Sequence, residues 1–504
     1  LQRNLNVRSM ERRLAGEGES RQKGGAPAAA GLEAAAPKPE APKGDAQKAD
    51  APAQAASKPA SKVPNDLKTG DGVFTGIDEA IAAAKAALAE YVKLGLSDRK
   101  VIVAALRKAA LDSAHEMADL AWRESAMGRY EDKVLKNQMA AKGSPGVESL
   151  KPYETFVGDL GTHMVYNGPW GVIGAITPVT NPTSTIINNA ITMLAAGNTV
   201  VFGPHPQAMV CSIKQLQILS RAVREAGGPD NLMTCVVEPT IRTAAEIFKS
   251  DDIAMICATG GPGVVRAAME NGKRVVGAGA GNPPVIVDET ADIKRAAWSI
   301  VEGAKFDNDL PCVGEKEIFV VDSVADALIR ELKNQGAFYV PESRVDALTP
   351  ICIKDGKANR PMVGQNAEII LKAAGVDVSG DPPIGIFETD FENDVVQEEQ
   401  LMPIVPIVRC RNFEQALEYS RLAEHGYTHT ALMHSTNIAR ITEFTRVMQC
   451  TITIINGPSY AYTGTEGEGY VTLTVGTKTG DGVSNPLTFT RRRHTSFSRT
   501  LNLI

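Results

Sequence analysis

The sequence predicts an α/β protein made of two doubly wound domains, preceded by an extension that stays disordered. Three observations lead there. From Asp78 onward, apolar segments of strand length alternate with amphipathic segments of helix length, the pattern of parallel strands joined by crossover helices. Strand segments such as "IAMIC" (253–257) are apolar at every position, as expected where helices cover both faces of a sheet. Residues 21–65, by contrast, are almost entirely Ala, Pro, Lys, Gly and small polar residues. Such a segment buries too little to offset the entropy of ordering.

Taken in order, "IDEAIAAAKAALAEYVKLG" and "SDRKVIVAALRKAALDSAHEMADLAWRESAMG" are expected as two helices, the second with Ser97 as N-cap and Gly128 as C-cap. Then come strand "GVIGAIT", helix "PTSTIINNAITMLAAG", strand "NTVVFG", helix "QAMVCSIKQLQILSRAVREAG", strand "LMTCVV" and helix "RTAAEIFKS". Strand "DIAMICAT", helix "GPGVVRAAMEN" and strand "KRVVGAG" complete the first run. After Pro284 the alternation restarts with "PVIVD", "IKRAAWSIVEGAKF", "EIFVVD" and "SVADALIRELKN", which predicts the second α/β domain.

At 504 residues and 43% hydrophobic content, the chain supports cores for two domains. A net charge of -6 with no basic domain gives no electrostatic case for nucleic acid. No apolar run approaches the roughly 20 residues that span a bilayer, and the first residues lack a secretory apolar core, so a soluble intracellular chain is expected. The seven cysteines are scattered, odd in number and without C-x-x-C, which excludes a disulfide framework or structural zinc spacing. Cys211, Cys235, Cys257 and Cys410 lie in apolar runs and are expected as core filler. Cys312 is different. It sits in the loop "FDNDLPCVGEKE" (306–317), directly ahead of strand "EIFVV".

Two glycine-bearing turns lie at strand carboxyl ends, "ATGGPG" (258–263) and "GAGAGNPP" (277–284). Open parallel sheets bind ligands at such ends, although neither turn is G-x-G-x-x-G followed by a distant acid. A nucleotide site and plain tight turns both fit this spacing. His425, His429 and His434 fall in loop and strand sequence, so no metal site is expected. The repeated "TGDGV" (69–73 and 479–483) is expected as two similar turns.

Longer motifs narrow the reading. "TPVTNPTSTIINNAITMLAAGNTVVFGPHP", "ATGGPGVV", "GAGAGNPPVIVDETADI", "FDNDLPCVGEKE", "HTALMHS", "NGPSY" and "TGDGVSNPLTFTRRR" resemble the aldehyde dehydrogenase superfamily from about residue 66 to Arg493. The resemblance is to the CoA-acylating propionaldehyde and acetaldehyde dehydrogenases of bacterial microcompartments. It implies two doubly wound domains of that family's type with a small oligomerisation flap. The boundaries expected are 66–285 for a cofactor-binding domain, with 153–168 in the flap, and 286–460 for a catalytic thiol domain. A C-terminal segment, 461–504, returns to the flap; nothing is drawn from its last eleven residues.

The resemblance assigns Cys312 as the nucleophile and Asn181 as the amide donor to the hemithioacetal oxyanion. Such preorganised donors are commonly worth about 3–4 kcal/mol each. It implies NAD as cofactor, held by Thr177, Pro178, Pro204, His205, Pro206, Gly260, Gly261 and Gly279, with Glu399 on the nicotinamide-side ribose. Coenzyme A enters as co-substrate. Two departures from hydrolytic relatives stand out. Ala278 occupies the place of their water-activating glutamate. Without a base, water, with a pKa near 15.7, is penalised far more than a thiol with a pKa of about 8.5, which favours transfer to CoA. Gly203, with "PHP" after it, replaces their ribose-binding lysine, a looser clamp that suits a cleft serving two adenine nucleotides in turn. The "TRRR" run (490–493) is expected as a solvated or subunit-facing edge, with contact to CoA phosphates as the alternative.

Leu1, Leu5, Met10 and Leu14 lie near one helical face ahead of the 21–65 tether. Residues 1–20 are therefore either a frayed end or a helix that docks on a shell, as encapsulation in a bacterial microcompartment would require. The leading expectation is an NAD-dependent, CoA-acylating dehydrogenase of a short aldehyde, propionaldehyde first, acting as a homo-oligomer. A hydrolytic or phosphate-accepting semialdehyde dehydrogenase, and an interaction protein that keeps the fold without chemistry, are the competing readings.

Overall fold

The computed structural model describes residues 66–151 and 154–502. The expected docking helix (1–20) and tether (21–65) lie outside these residues. Among the described residues the first strands are β1 (Val73–Phe74), β2 (Thr155–Gly158), β3 (Gly161–Pro169), β4 (Val172–Ile176) and β5 (Thr199–Gly203). β6 (Met233–Val236), β7 (Met255–Thr259) and β8 (Arg274–Ala278) follow. Six of them form a parallel sheet in the order β1-β6-β5-β4-β7-β8. Every residue of "VIGAI" in β4 is buried, as a centre strand covered on both faces requires. Gly174 is needed there because a Cβ would lie 2.4 Å from Ile247, on the helix Ile241–Lys249 that covers the strand.

The second sheet begins at β9 (Pro284–Val287) and continues with β10 (Glu317–Val321) and β11 (Phe338–Tyr339). After a hairpin of β12 (Ile353–Lys354) and β13 (Lys357–Ala358) come β14 (Gly385–Glu388), β15 (Ile404–Cys410), β16 (Thr430–His434) and β17 (Ile452–Ile455). Seven strands pair in parallel as β11-β14-β15-β10-β9-β16-β17. The boundary expected at 285/286 therefore falls inside β9. Pro284 already pairs with Glu317, so the chain changes sheet between Ala278 and Pro284. β18 (Val475–Gly476) and β19 (Gly482–Val483) form a small hairpin.

β20 (Thr490–Ser498) pairs antiparallel with β3, and β3 with β2, so the flap is a three-stranded sheet. His494–Ser498, from which the sequence suggested nothing, continue this strand. The arginines of "TRRR" run along it opposite Tyr166–Gly168.

The helical expectations need three corrections. The long segment from Ser97 is two helices, Leu96–Asp112 and Ala114–Ser125. They part at Ser113, whose hydroxyl donates back to the Ala109 carbonyl at 2.8 Å, a local bond that competes with helix continuation. The N-cap is Gly95, not Ser97; Asp98, in the first turn, accepts the Gly95 N–H at 2.9 Å. The C-cap is Ala126, left-handed at φ 54°, not Gly128. Gly128 is required for another reason, because a Cβ there would sit 2.0 Å from Asp307 Oδ1. A helix that the sequence reading did not single out, Tyr130–Gly143, follows it. Both "TGDGV" segments are turns with positive-φ glycines. None of the helices among the described residues is long and apolar enough to cross a membrane.

Candidate active site

The cofactor residues implied by the sequence gather at one edge. β5, β4, β7 and β8 are neighbours and parallel, so their carboxyl ends share an edge of the first sheet. Thr177 and Pro178 follow β4, Pro204, His205 and Pro206 follow β5, Gly260 and Gly261 follow β7, and Gly279 follows β8. Thr177 is buried and its hydroxyl has no hydrogen-bond partner. Its N–H donates to Gly203 O at 3.2 Å, tying the ends of β4 and β5. Gly261 caps the helix Pro262–Met269, and a Cβ at Gly261 or Gly263 would meet nothing within 4 Å. An open glycine cradle with an unsatisfied hydroxyl suits a dinucleotide. His205 Nδ1 accepts the Gln207 N–H at 3.1 Å, and burial and then Arg360 hold the ring below the usual imidazole range. Gly203 lies at the end of β5, where a Cβ would come 2.6 Å from Ile176.

Across the linker, Glu399 Oε1 accepts the Gly281 N–H at 3.2 Å. Burial pushes its carboxyl up to about 7, against the opposing pull of Lys316 and of that N–H. Ala278 is buried at the end of β8, where its carbonyl accepts the Gly260 N–H at 3.1 Å. It does not line the cavity described next.

Cys312 precedes β10, Glu399 precedes β15 and His429 precedes β16, so the second sheet offers its amino edge. The turn before Cys312 is over-determined. Asp307, Asn308 and Asp309 all have left-handed backbones, φ 50°, 57° and 57°, each of which costs about 1 kcal/mol or more. Side chains hold each one. Asp307 Oδ1 accepts the Arg129 N–H at 2.7 Å, and its own N–H donates to Asp132 at 3.0 Å. Asn308 donates to Gly364 O and Asn366 Oδ1, both at 2.9 Å. Asp309 pairs at 3.0 Å with Lys316, which is fully buried and donates to Asp309 O at 2.8 Å and Pro311 O at 3.4 Å.

Cys312 is half-buried and lines a cavity of about 70 Å³ with Asn181, Lys136, Phe306, Tyr460 and Tyr462, among others. The structure thus brings the two expected catalytic residues together. Burial, then the Glu399 carboxylate, pushes the thiol up to about 12, while Lys316 works the other way. The four cysteines expected in the core are all buried.

Asn181 stands at the N-cap of the helix Pro182–Ala195, yet its side chain makes no capping bond. Lys136 Nζ donates to its Oδ1 at 2.6 Å instead, and its Nδ2 donates to Thr180 Oγ1 at 3.1 Å. Diverting an N-cap asparagine forgoes about 1 kcal/mol of helix stability. Pro182 at N1 softens that loss by removing one orphan N–H. Lys136 and Lys133, both buried, also reach Asp307 Oδ2, the latter at 3.2 Å. Burial, only partly opposed by Asp307, lowers Lys136 to about 8.

Sequence reasoning missed Lys133, Lys136, Asp307 and Lys316. It weighed His429 only as a metal ligand; among the described residues no metal-holding cluster occurs. His429 is buried with an unpartnered Nε2, held neutral by a pKa lowered by burial to about 4. It packs across Gly281 from the nucleophile turn. A Cβ at Gly281 would meet the His429 ring at 2.8 Å and the Cys312 carbonyl at 2.9 Å.

Comparison with known proteins gives the chain a family. The model of the "Aldehyde dehydrogenase family" matches residues 67–351. A propanal dehydrogenase (CoA-propanoylating) of Citrobacter freundii is 42% identical over 84% of this chain and 92% of its own. An acetaldehyde dehydrogenase (acetylating) of Escherichia coli is 43% identical, over 84% and 91%. Among solved structures, a Rhodopseudomonas palustris propionaldehyde dehydrogenase with bound CoA and an acylated cysteine aligns at TM-score 0.84. It is 41% identical, over 86% of this chain and 100% of that one. A propionaldehyde dehydrogenase from the Clostridium phytofermentans fucose utilisation bacterial microcompartment also aligns at 0.84. It is 43% identical, with the same coverage of 86% and 100%.

Proposed function

The chain belongs to the aldehyde dehydrogenase family, and from that premise we propose that it converts a short aldehyde, NAD+ and CoA to acyl-CoA and NADH. The observation that carries this reading is the cavity shared by Cys312 and Asn181, with an open nucleotide cradle beyond the neighbouring strand ends. Cys312 Sγ adds to the aldehyde carbon, and the carbonyl oxygen gathers negative charge. The Asn181 amide N–H stabilises that charge where it develops. A nicotinamide dinucleotide bound at the first sheet supplies the hydride acceptor. The residues that would hold it are Thr177, Pro178, Pro204, His205, Pro206, Gly260, Gly261, Gly279 and Glu399.

Loss of the hydride leaves the acyl group on Cys312 as a thioester. The CoA thiol attacks that carbonyl, the acyl group moves to the CoA sulfur, and Cys312 leaves as thiolate and is reprotonated. The residues that line the cavity with Cys312 include no carboxylate, and Ala278, which the family resemblance aligns with the hydrolytic glutamate, adds no base for water. A 70 Å³ cavity, at about 10–15 Å³ for each water-sized occupant, has room for roughly five to seven such positions. That is room for a short aldehyde, and the propanal and acetaldehyde activities of the relatives support a two- or three-carbon one.

The Clostridium phytofermentans relative comes from a bacterial microcompartment, and we assign this chain the same setting within the bacterial cytoplasm, entered through residues 1–20. The flap exposes Phe156, Leu160, Met164 and Tyr166, an apolar surface suited to a second copy in a homo-oligomer. The test of function follows NADH absorbance with propionaldehyde and NAD+, with and without CoA. CoA-dependent NADH with acyl-CoA as product is expected. Equal NADH without CoA, with free acid released, would overturn the reading.

A further inference from the structure

We propose that Lys136 is a positioning residue for the oxyanion donor, fixing the Asn181 amide so that an N–H, and not the oxygen, faces the reacting carbonyl. The inference rests on the roles assigned above to Cys312 and Asn181. An ammonium has three donors and no acceptor, so the atom it meets at 2.6 Å must be the amide oxygen. That contact decides the orientation of the amide. With Oδ1 held by Lys136, Nδ2 carries both remaining hydrogens. One donates to Thr180 Oγ1 at 3.1 Å, and the other is left for the cavity that Asn181 lines with Cys312. A flipped amide would present a lone pair to the developing negative charge, turning attraction into repulsion. Asn181 also forgoes the capping bond usual at its helix position, so its side chain is set by Lys136 and Thr180 and not by its helix.

Asp307 makes the arrangement rigid. Its Oδ2 accepts from Lys136 and from Lys133, and Lys133 also reaches the Thr180 carbonyl at 3.5 Å. Asp307 belongs to the left-handed turn that delivers Cys312. One carboxylate therefore joins the segment carrying the donor to the segment carrying the nucleophile, and Lys136 is the link between them. Lys136 is buried and lines the cavity, so its chain is close to the reacting atoms without being assigned a bond to them.

The test is a double-mutant cycle on the full chain with Lys136→Met and Asn181→Ala. Lys136→Met keeps the apolar stem, and Asp307 keeps Lys133. Lys136→Met is expected to lower kcat for NADH formation about 100-fold, the low end for loss of one oxyanion donor, with KM for aldehyde within about threefold. On top of Asn181→Ala it is expected to cost less than about threefold, because the group it positions is already gone. Lys136→Gln, which keeps a donor for Oδ1, is expected to fall between the wild type and Lys136→Met. A merely structural lysine would lower both backgrounds equally.

Multiplying losses in the double mutant, or a Lys136→Met kcat within threefold of wild type, would overturn the proposal. If Lys136→Met does not fold, the cycle is run with Lys136→Gln, expected to lose about tenfold alone and less than threefold beside Asn181→Ala. Additivity overturns the proposal there as well. Failure of the underlying reading looks different, because wild type itself would then make no NADH that depends on CoA.

Discussion

The cradle on the first sheet and the nucleophile turn ahead of the second are built by opposite means. Beyond the carboxyl ends of β4 and β7 the chain supplies room, with Gly261 and Gly263 opening onto empty space and the Thr177 hydroxyl left unsatisfied. At the amino edge of the second sheet it supplies constraint. Three left-handed residues are pinned there, Asp307 and Asp309 by buried lysines and Asn308 by hydrogen bonds to Gly364 and Asn366, and Gly281 is filled to contact by its neighbours. Binding a large, exchangeable nucleotide needs vacancy, whereas aligning a thiol and an amide needs rigidity.

The largest effect that would sharpen this contrast is at the nucleophile. Cys312→Ala is expected to abolish both NADH formation and acyl transfer, while Cys211→Ala, buried in the first domain, should lower the melting temperature and leave kcat largely intact. Retained NADH formation by Cys312→Ala would break the comparison at its root.

Next in size is the pH dependence of the thiol. Burial disfavours the charged thiolate and pushes Cys312 up to about 12 in the free protein, so the reactive fraction grows with pH throughout the working range. Alkylation by iodoacetamide, followed by mass spectrometry of the Cys312 peptide, should accelerate about tenfold per pH unit from pH 7 to 10. A plateau near pH 8 would mean that the turn activates the thiol without help.

The glycines give a matched pair of smaller effects. Gly281→Ala would force a methyl against both His429 and the Cys312 carbonyl, and should destabilise the protein by about 1–3 kcal/mol with a clear loss of kcat. Gly261→Ala on the cradle meets no protein atom and should change stability by less than about 0.5 kcal/mol, its effect appearing in KM for NAD+. Thermal melts and steady-state kinetics on both variants check this. Equal destabilisation would erase the distinction between the two regions.

The sequence revealed most of the first region and about half of the second. Strand ends and glycine turns are local signals, so the turns at 258–263 and 277–284 were legible as strand carboxyl ends, whereas Thr177 came only through the family resemblance; Cys312 stood out because its neighbours were neither apolar nor periodic. The constraint was not legible. "YEDKVLKNQMAAKG" drew no expectation from its sequence, yet Asp132, Lys133 and Lys136 are buried in it, each bonded to Asp307 more than a hundred positions away. Nothing in that segment encodes its partner. The rule that ligands sit beyond strand carboxyl ends likewise located the cradle but not the nucleophile, since Cys312, Glu399 and His429 all precede their strands. Helix ends failed for a local reason, because Gly95 with Asp98, and Ala126 in a left-handed conformation, displaced the stronger-looking Ser97 and Gly128.

In the proposed reaction Cys312 carries the acyl group between aldehyde oxidation and CoA. Intact protein incubated with propionaldehyde and NAD+ in the absence of CoA should gain the mass of one propionyl group on the peptide containing Cys312, and adding CoA should remove it as propionyl-CoA. NADH formed with no such adduct, or an adduct on another residue that CoA discharges, would contradict the account.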